Sequence, residues 1–352
     1  MRTAGREAGA GSSGGVRASP PQRSTRVCVP MFSLRVAGLW AAAIVALCMR
    51  PAAFAAGEPL ALQAKPVALH AYDPEVTRTG RLEFRGGLAL RSPDGRFGGL
   101  SGLLVAPDGS RIVAVSDRGW WVEMRPTYDG DGRLDGIAGA SIAPVRGIKA
   151  RSLANLPAGD AESLAVGAGG GTIVAFESRP KLWRFPADDG TPVPLSPPPG
   201  LKEAPGNEGI EALTRLADGR LLALSEGLAV ADGVAGWLGS ERGGWSRVVW
   251  RTGRGFQPTG AATLPDGDVL VLERRILPPG ARVRLLKAGR IAPGATLAGE
   301  EIGRLEGALT FDNMEGIDAR RSPGGDTLVY LLSDDNFAFF QRTLLMMFRL
   351  AD

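Results

Sequence analysis

Cysteine and histidine are almost missing from this chain, and their scarcity removes most familiar catalytic chemistries. The only cysteines are Cys28 and Cys48. Both precede Ala53-Phe54-Ala55, which reads as an export cleavage site after a basic Arg35 and an uncharged, mostly apolar run from Val36 to Met49. A chain cut there has no disulfide and no thiolate metal site. The single histidine, His70, rules out His-rich zinc sites and leaves a Ser-His-Asp triad only that residue to use. Long apolar runs are missing too. The stretch Val36–Met49 has 14 residues, short for a helical span. Chemistry is therefore left to carboxylates, Arg, Lys, Tyr, Ser, backbone groups or a metal held by oxygen.

Basic charge is also scarce once the N-terminus is set aside. Residues 1–30 read as a Gly/Ser/Arg-rich leader or misread start, and 31–56 as a signal peptide. Together they hold seven Arg and one acid, Glu7. Removing these from the 41 basic and 37 acidic residues leaves 34 and 36, a net charge of −2. A nucleic-acid partner loses its electrostatic basis. The expected mature protein, residues 57–352, is periplasmic or secreted with no stable membrane span. Its oligomeric state is not encoded in any readable feature.

Glycine and proline, by contrast, are plentiful (50 and 26), and no long amphipathic helix pattern appears. That balance predicts many short strands joined by tight turns. A repeat organises them. Each copy has a small or acidic residue, an apolar strand, a glycine-containing turn, a second apolar strand, then an acid. Copies start at Ser101, Glu162, Glu211, Thr259 and Glu315, spaced 61, 49, 48 and 56 residues apart. This period suits four-stranded propeller blades. Turns such as Pro107-Asp108-Gly109 and Ala217-Asp218-Gly219 supply the positive φ of a hairpin and carry no chemistry. The fold expected is all-β: one propeller domain of five blades, or six if residues 59–98 hide another. Arg81–Leu90 is expected to close the ring beside the C-terminal strand Thr343–Leu350.

Equivalent repeat positions fall on one rim. The first slot holds Ser101, Glu162, Glu211, Thr259 and Glu315. The slot after the second strand holds Asp117, Glu177, Glu226, Glu273 and Asp334, with Asp160, Asn207-Glu208, Asp312-Asn313 and Asp335-Asn336 beside them. Carboxylates crowded on one cavity must be protonated, paired with Arg, or bridged by a cation. Oxygen-only ligands favour Ca²⁺. The metal ligands expected are Glu162, Glu211, Glu315, Asp334, Asn207 and Asn313, with Asp117 or Glu177 as a base. Arg118, Arg179 and Arg274 follow the second slot closely and suit contacts to an anionic substrate, or inter-blade ion pairs. Lys181 reads as solvated. Tyr128–Asp135 reads as a turn-rich surface loop, and the pairs Trp120-Trp121 and Phe339-Phe340 as blade packing.

Several strings resemble the phytase-like family, exported bacterial proteins with an esterase-like label. They are Phe97-Gly98-Gly99-Leu100-Ser101-Gly102, Ser116-Asp117-Arg118-Gly119, Asn207-Glu208-Gly209-Ile210-Glu211, Asp312-Asn313-Met314-Glu315-Gly316-Ile317 and Leu332-Ser333-Asp334-Asp335-Asn336-Phe337. The resemblance implies a calcium-bearing, carboxylate-lined channel mouth that acts on phosphate esters. The Asp-Asp-Pro-Ala stretch of the phytases themselves is absent, which separates this chain from phytate while leaving metal-assisted ester hydrolysis open. Three functions are therefore carried forward: a Ca²⁺-dependent hydrolase of a phosphate or other small ester, a lactonase-like propeller with one Ca²⁺ held by Glu and Asn, and a non-catalytic binding or scaffold propeller.

Overall fold

The computed structural model describes Gly15 and residues 57–352, apart from 179, 188–189 and 205–208. The expected signal peptide, the expected leader apart from Gly15, both cysteines, Arg179 and Asn207-Glu208 lie outside the described residues.

Among the described residues twenty-four strands form five sheets, antiparallel but for one edge pairing, around a common channel: a five-bladed β-propeller. Each blade starts at the centre and works outward. Blade 1 runs Leu100–Val105, Ile112–Ser116, Trp120–Tyr128 and Leu134–Pro144, with Glu58–Leu60 added at its edge. Blade 2 runs Ala161–Val166, Thr172–Phe176, Lys181–Phe185 and Val193–Leu195. Blade 3 runs Ile210–Arg215, Leu221–Val230, Gly233–Ser240 and Gly243–Trp250, with Thr296–Leu297 parallel on its edge. Blade 4 runs Gln257–Thr263, Val269–Arg275, Gly280–Leu286 and Glu300–Leu305. Blade 5 takes Asn313–Arg321, Thr327–Asp334 and Thr343–Leu350 from the C-terminus, and its fourth strand, Leu82–Arg91, from the N-terminus. This is the expected closure. It pairs an edge that would otherwise be open and joins the two ends of the described domain.

The strands follow the burial each position requires. The second strand of blade 1, Ile-Val-Ala-Val-Ser, is buried throughout because neighbouring blades cover both its faces. The outer strand Leu82–Arg91 alternates buried and half-buried residues instead. Trp120 and Trp121 are buried, as blade packing predicts. In the loop after Trp120–Tyr128, Asp129 accepts the N–H groups of Asp131 and Arg133 at 2.9 and 2.8 Å, a self-bonded turn. Lys181 is not solvated as its sequence setting suggests: its ammonium lies 4.2 Å from the Phe176 ring centre and 4.9 Å from that of Trp183. Phe339 and Phe340 do not pack between blades, being 97% and 72% exposed.

One irregularity recurs in every innermost strand. The pairing register slips at Ser101, Glu162, Glu211, Thr259 and Glu315, each left over as a β-bulge. The next residue is small in all five blades: Gly102, Ser163, Ala212, Gly260 and Gly316. A Cβ at Gly102 would stand 2.6 Å from Leu164 Cγ, and one at Gly260 2.6 Å from the Glu315 carbonyl oxygen. Adjacent inner strands approach too closely there for a larger side chain. Two hydroxyls lock the approach, Ser163 to the Ile210 carbonyl and Thr259 to the Met314 carbonyl, both at 2.9 Å.

Candidate active site

The bulges build the site. An extra residue bends its strand and re-aims its side chain, so the first slot of the repeat leaves the inter-blade packing and joins the channel mouth. The second slot is set by pairing. Asp117, Glu177 and Glu226 donate their backbone N–H groups to the residues two before each bulge, Gly99, Asp160 and Gly209, at 2.9, 2.9 and 3.2 Å. Asp334 pairs with Asn313 in the same way.

In blade 4 that partner is Gln257, and the residue opposite it is Arg274. The sequence alignment that put Glu273 in this slot is off by one. Glu273 sits one residue earlier, fully buried between blades, where it accepts the Trp250 indole N–H at 2.9 Å and pairs with Arg282 at 2.5 Å and Arg284 at 3.4 Å. The second ring therefore reads Asp117, Glu177, Glu226, Arg274, Asp334: four acids and one base.

Arg274 serves neighbouring acids. Its guanidinium holds Glu226 at 2.8 Å and Glu315 at 2.7 Å and also donates to the Asn313 side-chain oxygen, tying blades 3, 4 and 5. Asn313 in turn donates to Glu315 at 2.8 Å, so both ends of its amide are used within the protein. Arg118 is different. It lies exposed at the rim, stacked 3.3 Å above the Phe337 ring.

The other side of the mouth has no comparable counter-charge among the described residues. Asp160, Glu162 and Glu177 each offer an oxygen within 4.8 Å of the others. Asp160, two residues before the bulge, was noted in the sequence only as a flanking acid; the pairing offset repeated in every blade is the signal that identifies it. Its carboxylate also accepts the Ser178 hydroxyl. Two unit charges 4.8 Å apart repel by about 3.5 kcal/mol at an effective dielectric constant of about 20. Burial and this crowding favour the protonated forms of Glu162 and Glu177. Burial, reinforced by Glu211 and Glu315, pushes the Glu162 carboxyl well above its usual value. Burial likewise raises Glu211, with Glu177 and Glu226 adding to the effect. Glu177 rises to about 7 through burial and Asp160, and Asp334 to about 9 through burial and Glu315. Asp117 rises to about 7, mostly through burial, with Arg118 opposing the shift.

Two carboxylate oxygens at the mouth, Asp117 Oδ1 and Glu211 Oε1, are buried with no hydrogen-bond partner. Orphaned acceptors beside crowded carboxylates are what a bound cation would satisfy. The donors are oxygens alone, which suits Ca²⁺. Asp312 and Asp335 serve the loops instead: Asp312 accepts from Asn313 and Arg342, and Asp335 accepts the N–H groups of Gly99 and Phe337 at 3.0 and 3.1 Å.

The architecture and its acidic mouth define a propeller of the kind in which blade-end side chains make a polar site. The chain belongs to the phytase-like family, described as esterase-like activity of phytase, which matches residues 95–337. A search of curated proteins finds no match. Among solved structures the chain is similar to a gluconolactonase candidate (12% identity, TM-score 0.42, covering 87% of this chain and 96% of that one). It is also similar to virginiamycin B lyase from Staphylococcus aureus (9%, 0.41, 82% and 99%) and to the aldose sugar dehydrogenase of Streptomyces coelicolor in its PQQ-bound form (15%, 0.37, 83% and 99%). Among the described residues no helix is long and apolar enough to cross a membrane.

Proposed function

We propose that the protein is an exported, Ca²⁺-dependent hydrolase of a phosphate or other small ester. The observation that carries this reading is the Asp160–Glu162–Glu177 group, three carboxylate oxygens within 4.8 Å of one another, with no ion pair to any of them among the described residues. Family membership supports an ester bond as the target. Asp160, Glu162 and Glu177 would hold the ion, and Glu211, which interacts with Glu177 and has a buried Oε1 without a partner, is the candidate for a further ligand. Ca²⁺ when bound supplies positive charge that polarises an ester or phosphate oxygen and acidifies water. Asp117 is the base: a half-buried carboxyl raised to about 7 changes protonation near neutral pH, where proton transfer is most efficient. Arg118, one residue on and exposed, offers its guanidinium edge to an anionic group.

One observation favours the scaffold reading for part of the ring. Arg274 already neutralises Glu226 and Glu315, so blades 3 to 5 hold together without an ion. The test is metal content of the purified protein, then an ester and phosphoester panel with and without Ca²⁺. Hydrolysis that needs Ca²⁺ and disappears in Glu162→Gln supports the enzyme. A melting curve unmoved by exhaustive chelation, with no ester cleaved, leaves a scaffold.

A further inference from the structure

Large apolar side chains that face solvent are not spread evenly over this molecule. Among the described residues Phe339 is 97% exposed, Leu277 83%, Phe340 72% and Ile276 66%, with Ile148 and Leu156 partly so. These six stand at the channel-mouth end, on connections that follow a second strand or that link blades 1 and 2; of the others, Tyr72, 87% exposed, lies in the N-terminal segment and Val193, 41% exposed, on the outer strand of blade 2. The hairpin turns at the opposite end, such as Asp108-Gly109 and Asp218-Gly219, are short and polar.

Two of the loops join a polar foot to an apolar tip. Arg274 leads directly into Ile276-Leu277, and Asp334 into the connection bearing Phe339-Phe340. These tips are braced. Asp335 ties the base of the second loop to Gly99, Phe337 and Thr343, and Asn336 and Phe337 hold left-handed φ values of +47° and +52°. In the first loop Arg275 bonds the Pro278 carbonyl at 2.8 Å and pairs with Glu306 at 3.3 Å. On the link from blade 1 to blade 2, exposed Arg146, Lys149 and Arg151 surround Ile148, and none has a carboxylate partner among the described residues. Among the exposed acids of this end, Glu203 and Asp232 flank blade 3, Glu306 is paired with Arg275, and Asp73 and Glu75 lie in the N-terminal segment beside Tyr72.

We propose that the sector of blades 4, 5 and 1 docks on an anionic lipid surface. Phe339, Phe340, Ile276 and Leu277 enter the acyl boundary, while Arg146, Lys149 and Arg151 meet the headgroups. Exposed apolar groups rimmed by cations at one end of a protein are the ordinary requirements for interfacial binding. The substrate would then be a lipid-borne phosphate ester, its head at the loop feet and its tail beside the tips. This second statement rests on the hydrolase reading; the docking does not.

The experiment is co-sedimentation of the purified protein with phosphatidylcholine vesicles and with vesicles containing phosphatidylglycerol, in parallel with hydrolysis of a soluble short-chain phosphoester and of a vesicle-borne one. Expected is salt-sensitive binding to the anionic vesicles, weakened by about tenfold or more in Phe339→Ser/Phe340→Ser and in Ile276→Ser/Leu277→Ser. These variants should melt like the parent, since the tips bury little, and should keep activity on the soluble ester. Binding without hydrolysis of either ester sustains the docking and removes the hydrolase. Docking is overturned if the parent stays in the supernatant with both vesicles, if the Ser variants sediment equally, or if the tips instead join two copies of the chain in solution.

Discussion

In blade 2 the bulge and the second slot carry Glu162 and Glu177, with Asp160 two residues before the bulge. In blade 4 the same three positions carry Thr259, Arg274 and Gln257. The backbone is the same device in both, a bulged inner strand beside a second strand held in fixed register. Only side-chain identity differs. Blade 4 supplies the counter-charge for its neighbours and settles its hydroxyl on the Met314 carbonyl. Blade 2 gathers three acids with no ion pair to any of them among the described residues. Among the described residues one half of the mouth is thus neutralised by Arg274 and the other carries crowded acids with no paired base, and the scaffold itself does not decide which half is which.

Arg274→Gln breaks the self-neutralised half and should have the largest effect. Glu226 and Glu315 are buried, and stripping one partner from a buried ion pair costs about 3–5 kcal/mol. Denaturant unfolding in chelator measures it; a loss under about 1 kcal/mol would mean that the two acids simply take up protons. In blade 2 the sign reverses. Glu162→Gln removes repulsion, so the cation-free protein should hold or gain stability. The stabilisation by Ca²⁺, about 2.7 kcal/mol at a hundredfold excess over Kd, should vanish in a thermal-shift titration. If Glu162→Gln still responds to Ca²⁺ like the parent, the ion lies elsewhere.

The pH dependence separates the halves without mutation. Asp117, Glu177 and Asp334 are held at about 7, 7 and 9, above the unfolded carboxyl value of about 4. Between those limits the folded protein binds more protons than the unfolded chain. In chelator its stability should therefore fall as pH rises from about 4 towards 9, and Ca²⁺ should flatten the slope. Melting temperature against pH, with and without Ca²⁺, reads this; a chelated protein that grows steadily more stable over that range would contradict the crowded-acid picture. Thr259→Ala should cost about 1 kcal/mol through its lost hydrogen bond and leave the Ca²⁺ response unchanged. Smallest of all is Asp218→Asn at the far end. Its pair with Arg220 is exposed and should contribute well under about 1 kcal/mol.

Much of this was legible in the residues. Repeat spacing predicts five blades, and the strand pattern of 81–90 predicts the ring closure that Leu82–Arg91 makes. Glu162, Glu211 and Glu315 fall at one equivalent position because the bulge recurs, with Gly, Ser or Ala after it wherever inner strands nearly touch. The slip at Glu273 arose because an acid follows an apolar strand there too. What distinguishes it from Arg274 is the pairing with Pro258, and the partners that bury it, Trp250 and Arg282, lie in other strands. Phe339-Phe340 misled for the same reason, since aromatic pairs look alike whether covered or bare.

By itself, then, the sequence determined the repeat, the near-loss of sulfur and imidazole chemistry, and the crowding of acids at strand ends. These are local or compositional properties, carried by hydrophobic period, turn chemistry and residue type. Tertiary structure alone decided which acids meet. Asp160, Glu162 and Glu177 come together through a bulge and a backbone hydrogen bond, and Arg274 reaches Glu226 and Glu315 across residue separations of 48 and 41. Charge interactions depend on distance through space and on burial, and both are set when five sheets close around one channel.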